Sequence, residues 1–230
     1  MANKTPVIFI EGGIGCGKST LVKEIQNYCV KNELKICTVQ EPVDLWMEIK
    51  RTEDGKNIIE AFYEDQEKYA FHFQMMAYIS RLHKMRMAMI NAQQKEYDLI
   101  ICERSLETDK NVFCKMLYDE GKIDEFGFQI YNKWFNHFQD FIHKSQYVYL
   151  KTSANTCQAR VKKRTRNGEN LIDLDYLEKN NDYHDQWLME EPSDKVLVLD
   201  GDQSTDDFKN IQDLYDQHIT RIFKWWKSTQ

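Results

Sequence analysis

Short runs of strand-forming, mostly apolar residues alternate along the chain with longer segments in which apolar residues recur every three or four positions. The first pattern predicts buried strands, and the second predicts helices. The expected strands are residues 7–10, 35–40, 98–102, 147–150 and 196–199. The expected helices are residues 20–31, 58–94 with a break near Asp65, 131–143, a helix from about residue 155, 173–189 and 206–227. This alternation predicts an α/β fold with three layers, in which a five-stranded parallel sheet lies between helices.

Composition favours one globular domain of ordinary type. The chain has 230 residues, of which 42% are hydrophobic and 30% charged, and no repeat or linker divides it. We therefore expect a single domain over residues 1–230. The net charge of −6 argues against a protein whose main function is to bind nucleic acid. No apolar run approaches the roughly 18 residues of a membrane span, and the N-terminus lacks a signal-peptide core, so we expect no membrane contact.

The six cysteines predict neither a zinc site nor a disulfide framework, because no two of them have C-x-x-C spacing. Cys16 lies in a glycine-rich loop, and Cys102 lies in an expected core strand. This usage is typical of a reducing compartment. We expect a cytoplasmic protein, although the mature form of a mitochondrial protein would have the same features.

The segment GGIGCGKS at residues 12–19 fits the phosphate-binding pattern G-x-x-x-x-G-K-[ST]. An expected strand precedes it and an expected helix follows it, which is the context that the motif requires. Glycines let backbone N–H groups turn towards a polyphosphate, and the helix N-terminus adds a positive dipole. Lys18 can reach the terminal phosphates, and Ser19 can bind Mg²⁺. The expected nucleotide contacts are Gly13, Ile14, Gly15, Cys16, Gly17, Lys18, Ser19 and Thr20.

Two of the expected strands end at acidic residues. Glu41 follows the second strand, and Pro42 prevents that strand from continuing. Glu103 and Arg104 follow the third strand. Because ligands of open α/β sheets bind at this edge, Glu41 is a candidate general base, Glu103 a candidate Mg²⁺ contact and Arg104 a candidate partner for phosphate charge. The alternatives are a solvated glutamate at a turn and an ordinary surface ion pair.

One face of the long central helix carries polar side chains. Gln74, Ala77, Tyr78 and Arg81 are spaced i, i+3, i+4 and i+7, so they share a face that is about 10 Å long. An amide, a small residue and a guanidinium on one face can line a pocket for a ligand of nucleobase size. The alternative for Gln74 is a surface or core-edge amide. Trp46 can form a wall of the same pocket or pack in the core.

A basic segment stands out in this acidic chain. Arg160 and Arg164 lie four residues apart on an expected helix and therefore point the same way. The helix leads into the loop 165–170, which contains glycine and asparagine. Cations at such a place indicate a lid, at about residues 160–172, that closes on transferring phosphates. The alternative is a solvated helix end stabilised by the helix dipole.

Together, in this order, the motifs resemble those of the non-viral-type deoxynucleoside kinases, which include deoxycytidine, deoxyguanosine, mitochondrial thymidine and insect multisubstrate kinases. The resemblance extends from about residue 6 to residue 208. The motifs that carry it are GGIGCGKS at 12–19, EPV at 41–43 with Trp46, FQ at 73–74, ERS at 103–105, and RTR at 164–166 with Glu169. It implies a P-loop kinase fold with an arginine-rich lid. It also implies a homodimer, for which the aromatic helix at 131–141 offers an interface.

The resemblance implies an enzyme that transfers phosphate from ATP, with Mg²⁺, to the 5′-hydroxyl of a deoxyribonucleoside for nucleotide salvage. Glu41 would accept the hydroxyl proton, with Arg104 and Lys18 as further catalytic residues. Ser19 and Glu103 would hold Mg²⁺. The residues implied at the deoxynucleoside are Glu41, Trp46, Tyr63, Gln74, Ala77, Arg81, Arg104, Asp109, Phe113 and Glu169. The residues implied at ATP, besides the phosphate-binding loop, are Arg160, Arg164, Arg166, Asp207 and Phe208.

Within this scheme, Tyr63 and Glu169 would bind the 3′-hydroxyl, and Gln74 would bind the edge of the base. Two departures from the family pattern affect the lid and the adenine site. Gly168 stands where relatives often have an acidic residue, which implies a looser lid. The loop 201–206 is longer than in relatives, which weakens the assignment of the adenine contacts.

Arg81 and Asp109 suggest which base is bound. In the resembling family this pair is charged in deoxycytidine and deoxyguanosine kinases and apolar in thymidine-accepting ones. A carboxylate favours an amino group, as on cytosine or adenine, and disfavours the O4 acceptor of thymine. Arg81 could meet the O6 of guanine instead. We therefore expect deoxyadenosine, deoxyguanosine or deoxycytidine in preference to thymidine.

Three other functions are compatible with parts of this pattern. One is a multisubstrate deoxynucleoside kinase that accepts thymidine. Another is a nucleoside monophosphate kinase, which shares the phosphate loop, the acid–arginine pair and the lid, although Glu41 would repel a monophosphate. The third is a catalytically silent nucleotide-binding subunit, against which the intact Lys18, Glu41 and Arg104 argue. A GTPase is not favoured, because the chain lacks an N-K-x-D sequence.

Overall fold

The computed structural model of the chain describes residues 5–138, 145–164, 168–203 and 211–229. The predicted ATP contacts Arg166, Asp207 and Phe208 lie outside these ranges. The last residues of the predicted helix 131–143 also lie outside them.

Five parallel strands form one sheet in the order β2-β3-β1-β4-β5. The strands are β1 (Val7–Glu11), β2 (Ile36–Val39), β3 (Leu99–Glu103), β4 (Ser145–Lys151) and β5 (Val196–Asp200). The central strand β1 pairs with β3 on one side and with β4 on the other. The predicted five-stranded parallel sheet is therefore confirmed. The strands β3 and β2 lie on one side of β1, and β4 and β5 lie on the other, so the strand order reverses at β1, which is the point where such sheets bind ligands.

Ten α-helices are described. They are α1 (Lys18–Lys31), α2 (Val43–Glu48), α3 (Ile58–Glu64), α4 (Gln66–Lys95), α5 (Leu106–Thr108), α6 (Lys115–Asp119), α7 (Glu125–Phe138), α8 (Ala154–Arg164), α9 (Leu174–Leu188) and α10 (Ile211–Ser228). The expected break near Asp65 separates α3 from α4, because the Asp65 side chain caps α4 by accepting the N–H of Lys68. The sequence did not predict the π-helical turn Asp109–Cys114 between α5 and α6. Such turns are frequent at functional sites.

Helices cover both faces of the sheet, which confirms the three-layer α/β/α fold. Successive residues of a strand point to opposite faces. Accordingly, Phe9 packs in the cluster that contains Tyr78 of α4, whereas Ile8 packs in the cluster that contains Leu21 of α1. Burial of each such side chain stabilises the fold by about 1.5–3 kcal/mol. Among the described helices, none combines the length and apolar character that would let it cross a bilayer.

Candidate active site

The phosphate-binding loop joins β1 to α1 and holds its lysine close. The Lys18 ammonium is buried and donates hydrogen bonds to the carbonyl oxygens of Gly12, at 3.0 Å, and Gly13, at 2.7 Å. Gly15 has φ +84°, and a Cβ there would lie 2.6 Å from the carbonyl oxygen of Cys157. Only glycine therefore fits at this position, where the loop passes against α8.

One cavity of about 440 Å³ contains most of the predicted site residues. Its first end lies beside α4 and is lined by Trp46, Tyr63, Phe73, Gln74, Ala77, Arg81, Asp109 and Phe113. Its middle is lined by Gly15, Cys16, Gly17, Lys18, Ser19, Glu41, Glu103 and Arg104. Its other end lies beside α8 and α10 and is lined by Thr20, Arg160, Gly201, Gln203, Leu214, Tyr215 and His218. The structure therefore brings the base-binding and nucleotide-binding candidates to opposite ends of one space, with the phosphate loop between them.

The two candidate Mg²⁺ contacts touch each other. The Ser19 hydroxyl donates to Oε1 of Glu103 at 2.6 Å. The second oxygen of Glu103 accepts the backbone N–H of Glu41 at 3.2 Å. The end of β3 is thus linked to the start of α1 and to the segment that follows β2. This link orients Glu41 through its own backbone.

The Glu41 carboxylate lies beside two guanidinium groups. Arg81 Nη2 donates to Glu41 Oε1 at 2.9 Å, and Arg104 Nε lies 3.3 Å from the same oxygen. Burial alone would raise the pKa of Glu41, but the charges of Arg104, Arg81 and Lys18 lower it to about 2. The carboxylate is therefore ionised at neutral pH. The sequence analysis assigned Arg81 to the base pocket. Residue spacing did not predict its contact with Glu41.

Arg81 uses its whole guanidinium group. Its Nε and Nη2 donate to the two carboxylate oxygens of Asp109 at 2.8 Å and 3.2 Å, and Nη1 donates to the backbone oxygen of Glu103 at 3.2 Å. Burial opposes the positive charge, but the carboxylates of Asp109 and Glu41 outweigh it and raise the pKa of Arg81. Both members of the Arg81–Asp109 pair are less than 5% exposed. The pair is therefore a desolvated and well-satisfied ion pair.

Arg104 adopts an uncommon backbone conformation. Its φ is +63°, in the left-handed region, which is unfavourable by about 1–2 kcal/mol for a residue with a Cβ. The guanidinium carbon lies 4.8 Å from the ring centroid of Phe113, a cation–π distance. Within the described ranges its Nη1 has no hydrogen-bond partner. A buried donor of this kind, at the cavity wall, is available to an oxygen of a bound ligand.

Gln74 presents a second buried polar group to the cavity. Its side chain is 2% exposed, and its Oε1 has no hydrogen-bond partner among the described residues. Trp46 is fixed beside it, because the indole N–H donates to the Ser80 hydroxyl at 2.8 Å and the ring meets Phe73 edge-on. Tyr78 was placed on the same helix face, but it packs against the aromatic side chains of α7 and does not line the cavity.

The candidate sugar-binding residues and the candidate lid residues line the same cavity. Arg164 binds Glu169 through two hydrogen bonds of 2.5 Å, and Glu169 is buried. Burial and the nearby charge of Glu169 raise the pKa of Tyr63, so its phenol stays a neutral donor. Arg160 donates to the carbonyl oxygens of Cys16 and Gly201 at 2.9 Å each. Arg160 therefore joins the phosphate loop to the segment after β5.

The sequence interpretation missed the contribution of α10. Leu214, Tyr215 and His218 all line the cavity from that helix, and His218 is 4% exposed. Their spacing of i, i+1 and i+4 marks one face of an amphipathic helix, which is the available signal. That signal does not say which surface the face covers, so the sequence alone could not assign these residues to the site.

The chain is similar along most of its length to proteins of known kind. A family model described as deoxynucleoside kinase matches residues 8–224. A fowlpox virus (strain NVSL) protein named as a probable deoxycytidine kinase is 36% identical over 212 residues, covering 89% of this chain and 83% of the viral protein. Deoxycytidine kinase 2 of Gallus gallus is 32% identical, covering 88% and 83%. Human mitochondrial thymidine kinase 2 is 27% identical, covering 95% and 78%. The predicted resemblance is thus confirmed, and the relatives differ in the base for which they are named.

Proposed function

This chain belongs to the deoxynucleoside kinase family, and we propose that it phosphorylates deoxyadenosine, deoxyguanosine or deoxycytidine in preference to thymidine, with ATP as the donor. Family membership makes the chain a deoxynucleoside kinase. We propose the base preference and the roles of the individual residues. The observation that carries the preference is the buried Arg81–Asp109 pair on the same cavity wall as Gln74. Carboxylate oxygens accept from exocyclic amino groups, which thymine lacks.

The proposed reaction needs positioning more than covalent participation, because phosphoryl transfer passes through a loose transition state. The 5′-oxygen of the nucleoside forms a bond to the terminal phosphorus while the bond from that phosphorus to ADP breaks. Lys18 exchanges its contacts with Gly12 and Gly13 for phosphate oxygens. Glu41 accepts the hydroxyl proton and later returns it to water. Glu41 takes the proton late, because the 5′-hydroxyl becomes acidic only as its oxygen forms the new bond to phosphorus.

Ser19 and Glu103 are the proposed protein contacts of Mg²⁺. A hydroxyl and a carboxylate in direct contact beside the phosphate loop are oxygen donors of the kind that Mg²⁺ prefers. Within the described part of the chain, no group of three or more His, Cys, Asp or Glu residues could hold a metal ion alone. In the proposal, phosphate and water oxygens supply the other ligands. The bound ion would neutralise charge on the phosphates.

Tyr63 and Glu169 are the proposed contacts of the 3′-hydroxyl. Both line the cavity, and Glu169 is fixed by Arg164 of the lid helix. A neutral phenol can donate to that hydroxyl while the carboxylate accepts from it. The same Arg164–Glu169 pair would therefore couple binding of the sugar to the position of the lid. Closure would bring Arg160 and Arg164 near the transferring phosphates.

A parallel assay with ATP and each of deoxyadenosine, deoxyguanosine, deoxycytidine and thymidine tests the proposal. We expect kcat/KM for at least one of the first three to exceed that for thymidine by about 100-fold. A thymidine preference would contradict the base assignment and favour the multisubstrate alternative. Turnover of a monophosphate without turnover of any nucleoside would contradict the proposed acceptor.

The exposed face of α7 supports our proposal of a homodimer. Phe126, Ile130 and Trp134 are spaced i, i+4 and i+8 and are between 45% and 77% exposed. Helix α4 lies beside this face, because the Tyr78 hydroxyl donates to the backbone oxygen of Trp134. Ile79, the residue after Tyr78 on α4, is 49% exposed. Exposed apolar side chains on two neighbouring helices are typical of an interaction surface.

Replacing Ile130 and Trp134 together by glutamate is therefore expected to convert a dimer into a monomer, because two buried charges in each subunit would face an apolar partner. Light scattering coupled to gel filtration measures the mass directly. The matched control is Val30→Glu, which adds a charge at a 75% exposed position on α1. A wild-type protein that is already monomeric at micromolar concentration would contradict the proposal.

A further inference from the structure

Glu11, the last residue of β1, has a fully buried carboxylate with a specific set of partners. Its Oε1 accepts the backbone N–H of Ser105 at 2.8 Å, and its Oε2 accepts the Thr108 hydroxyl. Ser105 Oγ in turn accepts the N–H of Thr108 at 3.1 Å and caps α5. Glu11 is not among the described residues that line the cavity. Its carboxylate therefore ties the central strand to the turn that directly follows Arg104.

These bonds fix the left-handed turn from both sides. The N–H of Arg104 donates to the backbone oxygen of Ile10 at 3.0 Å, and the next N–H, that of Ser105, donates to Glu11. A residue with a Cβ keeps a φ of +63° only when its surroundings determine it. Without the Glu11 acceptor, the buried N–H of Ser105 would lack a partner, and the turn could relax towards an ordinary conformation.

We propose that Glu11 is a positioning residue for phosphoryl transfer, because its carboxylate holds the turn that aims the Arg104 guanidinium at Glu41. The side chain of Arg104 depends on this turn for its direction, and its Nε lies 3.3 Å from Glu41 while its plane lies over Phe113. Glu11 acts through a backbone hydrogen bond and touches neither substrate. The inference rests on the proposed roles of Glu41 and Arg104.

A pair of substitutions separates the hydrogen bond from the charge. Glu11→Gln keeps an oxygen that can accept the Ser105 N–H, and its amide can donate to Thr108, so we expect kcat within about threefold of wild type. Glu11→Met has similar size but no acceptor, and we expect kcat to fall by about 30-fold or more, since small misplacements of catalytic groups have large effects. The KM for ATP should stay within about threefold, because Lys18 and the phosphate loop keep their contacts.

Two controls make the result specific. Phe9→Leu in the same strand removes volume from the core and should lower the melting temperature while leaving kcat near wild type. In an Arg104→Lys background, Glu11→Met should cause little further loss, because the residue through which it acts has already been changed. If Glu11→Met does not fold, Glu11→Asp replaces it, since its carboxylate is one methylene too short to reach Ser105.

Three outcomes would overturn the inference. They are an unchanged kcat in Glu11→Met, an equal loss in Glu11→Gln, and a loss of the same size in the Arg104→Lys background. Failure of the underlying proposal would look different. Full turnover by Glu41→Gln would show that Glu41 is not the base. The positioning role of Glu11 would still be supported if the effect of Glu11→Met disappeared in the Arg104→Lys background.

Discussion

Replacing Glu41 by glutamine is expected to lower kcat by about 10²–10⁴-fold, the usual contribution of a general base. The amide has the size of the carboxylate and can still accept from Arg81 Nη2, so the cavity keeps its shape. It cannot accept a proton, and it removes the negative charge beside Arg81 and Arg104. The KM for ATP should change little, because the side chains of Lys18 and Ser19 in the phosphate loop bind other partners and form no hydrogen bond with the Glu41 carboxylate.

Steady-state kinetics with the best nucleoside, together with direct measurement of nucleoside binding, checks this expectation. Binding should remain within about tenfold while turnover is lost. Glu107→Gln is the matched control, since Glu107 is partly buried, its Oε2 has no hydrogen-bond partner among the described residues, and it does not appear in the described cavity wall. Burial, with the nearby charges of Glu11 and Asp109, raises the pKa of Glu107 to about 7, so removal of its charge should be well tolerated. A Glu41→Gln enzyme with more than a fifth of wild-type kcat would exclude Glu41 as the base.

The strand-end residues of the site could be predicted because they follow from the sheet alone. Parallel strands deliver their carboxyl ends to one edge, so Lys18, Glu41 and Glu103 had to converge once five strands were recognised. Short apolar runs predicted these strands, and the period of the apolar residues predicted most helices. The π-helical turn Asp109–Cys114 and the start of α7 at Glu125, six residues before the predicted start, were not predictable in this way. The turn packs against α4 and α9, whereas α7 begins where the Asp124 side chain accepts the N–H of Gly127 at 2.7 Å, which is a local cap.

The resemblance implied that Arg104 holds Glu41, and the two side chains lie 3.3 Å apart, but residue spacing alone could not predict side-chain partners across long separations. Arg81 was expected to face the base, and the structure adds bonds to Glu41 and to the backbone of Glu103. These partners lie 40 and 22 positions away in sequence, and only the tertiary packing of α4 against the sheet brings them together. The same holds for His218 of α10. Arg81 consequently links the wall of the base pocket to the proposed general base.

The second large effect that we expect is a change of base specificity, and the bond between Arg81 and Glu41 determines which quantity reveals it. Replacing Arg81 by methionine and Asp109 by alanine together is expected to raise the kcat/KM ratio of thymidine to deoxycytidine by at least about 100-fold. The double change removes the carboxylate that would face the O4 acceptor of thymine, and it makes room for the 5-methyl group. It also removes the amino-group acceptor on which deoxycytidine depends in the proposal. Because Arg81 also donates to Glu41, kcat should fall for every nucleoside, so the ratio is the informative quantity.

The single variants provide the test of mechanism. Arg81→Met leaves Asp109 buried without its partner, and the loss of one member of a buried ion pair destabilises by about 3–5 kcal/mol. Asp109→Ala leaves Arg81 with the Glu41 carboxylate and the backbone oxygen of Glu103, and it should also lower the free energy of unfolding. The double variant removes both charges, and replacement of a buried pair by apolar groups is often neutral. Urea unfolding should therefore show the double variant to be more stable than Arg81→Met.

Parallel kinetics for thymidine and deoxycytidine in all four proteins then decides the assignment. If the pair selects the base, thymidine turnover should rise only when the carboxylate is removed, in Asp109→Ala and more strongly in the double variant. Arg81→Met keeps the carboxylate and should stay poor with thymidine even though it lowers kcat. A double variant that folds, retains deoxycytidine turnover and still rejects thymidine would show that Gln74 and the aromatic walls select the base instead. Because stability and specificity depend differently on the two charges, an unstable variant cannot be mistaken for an unselective one.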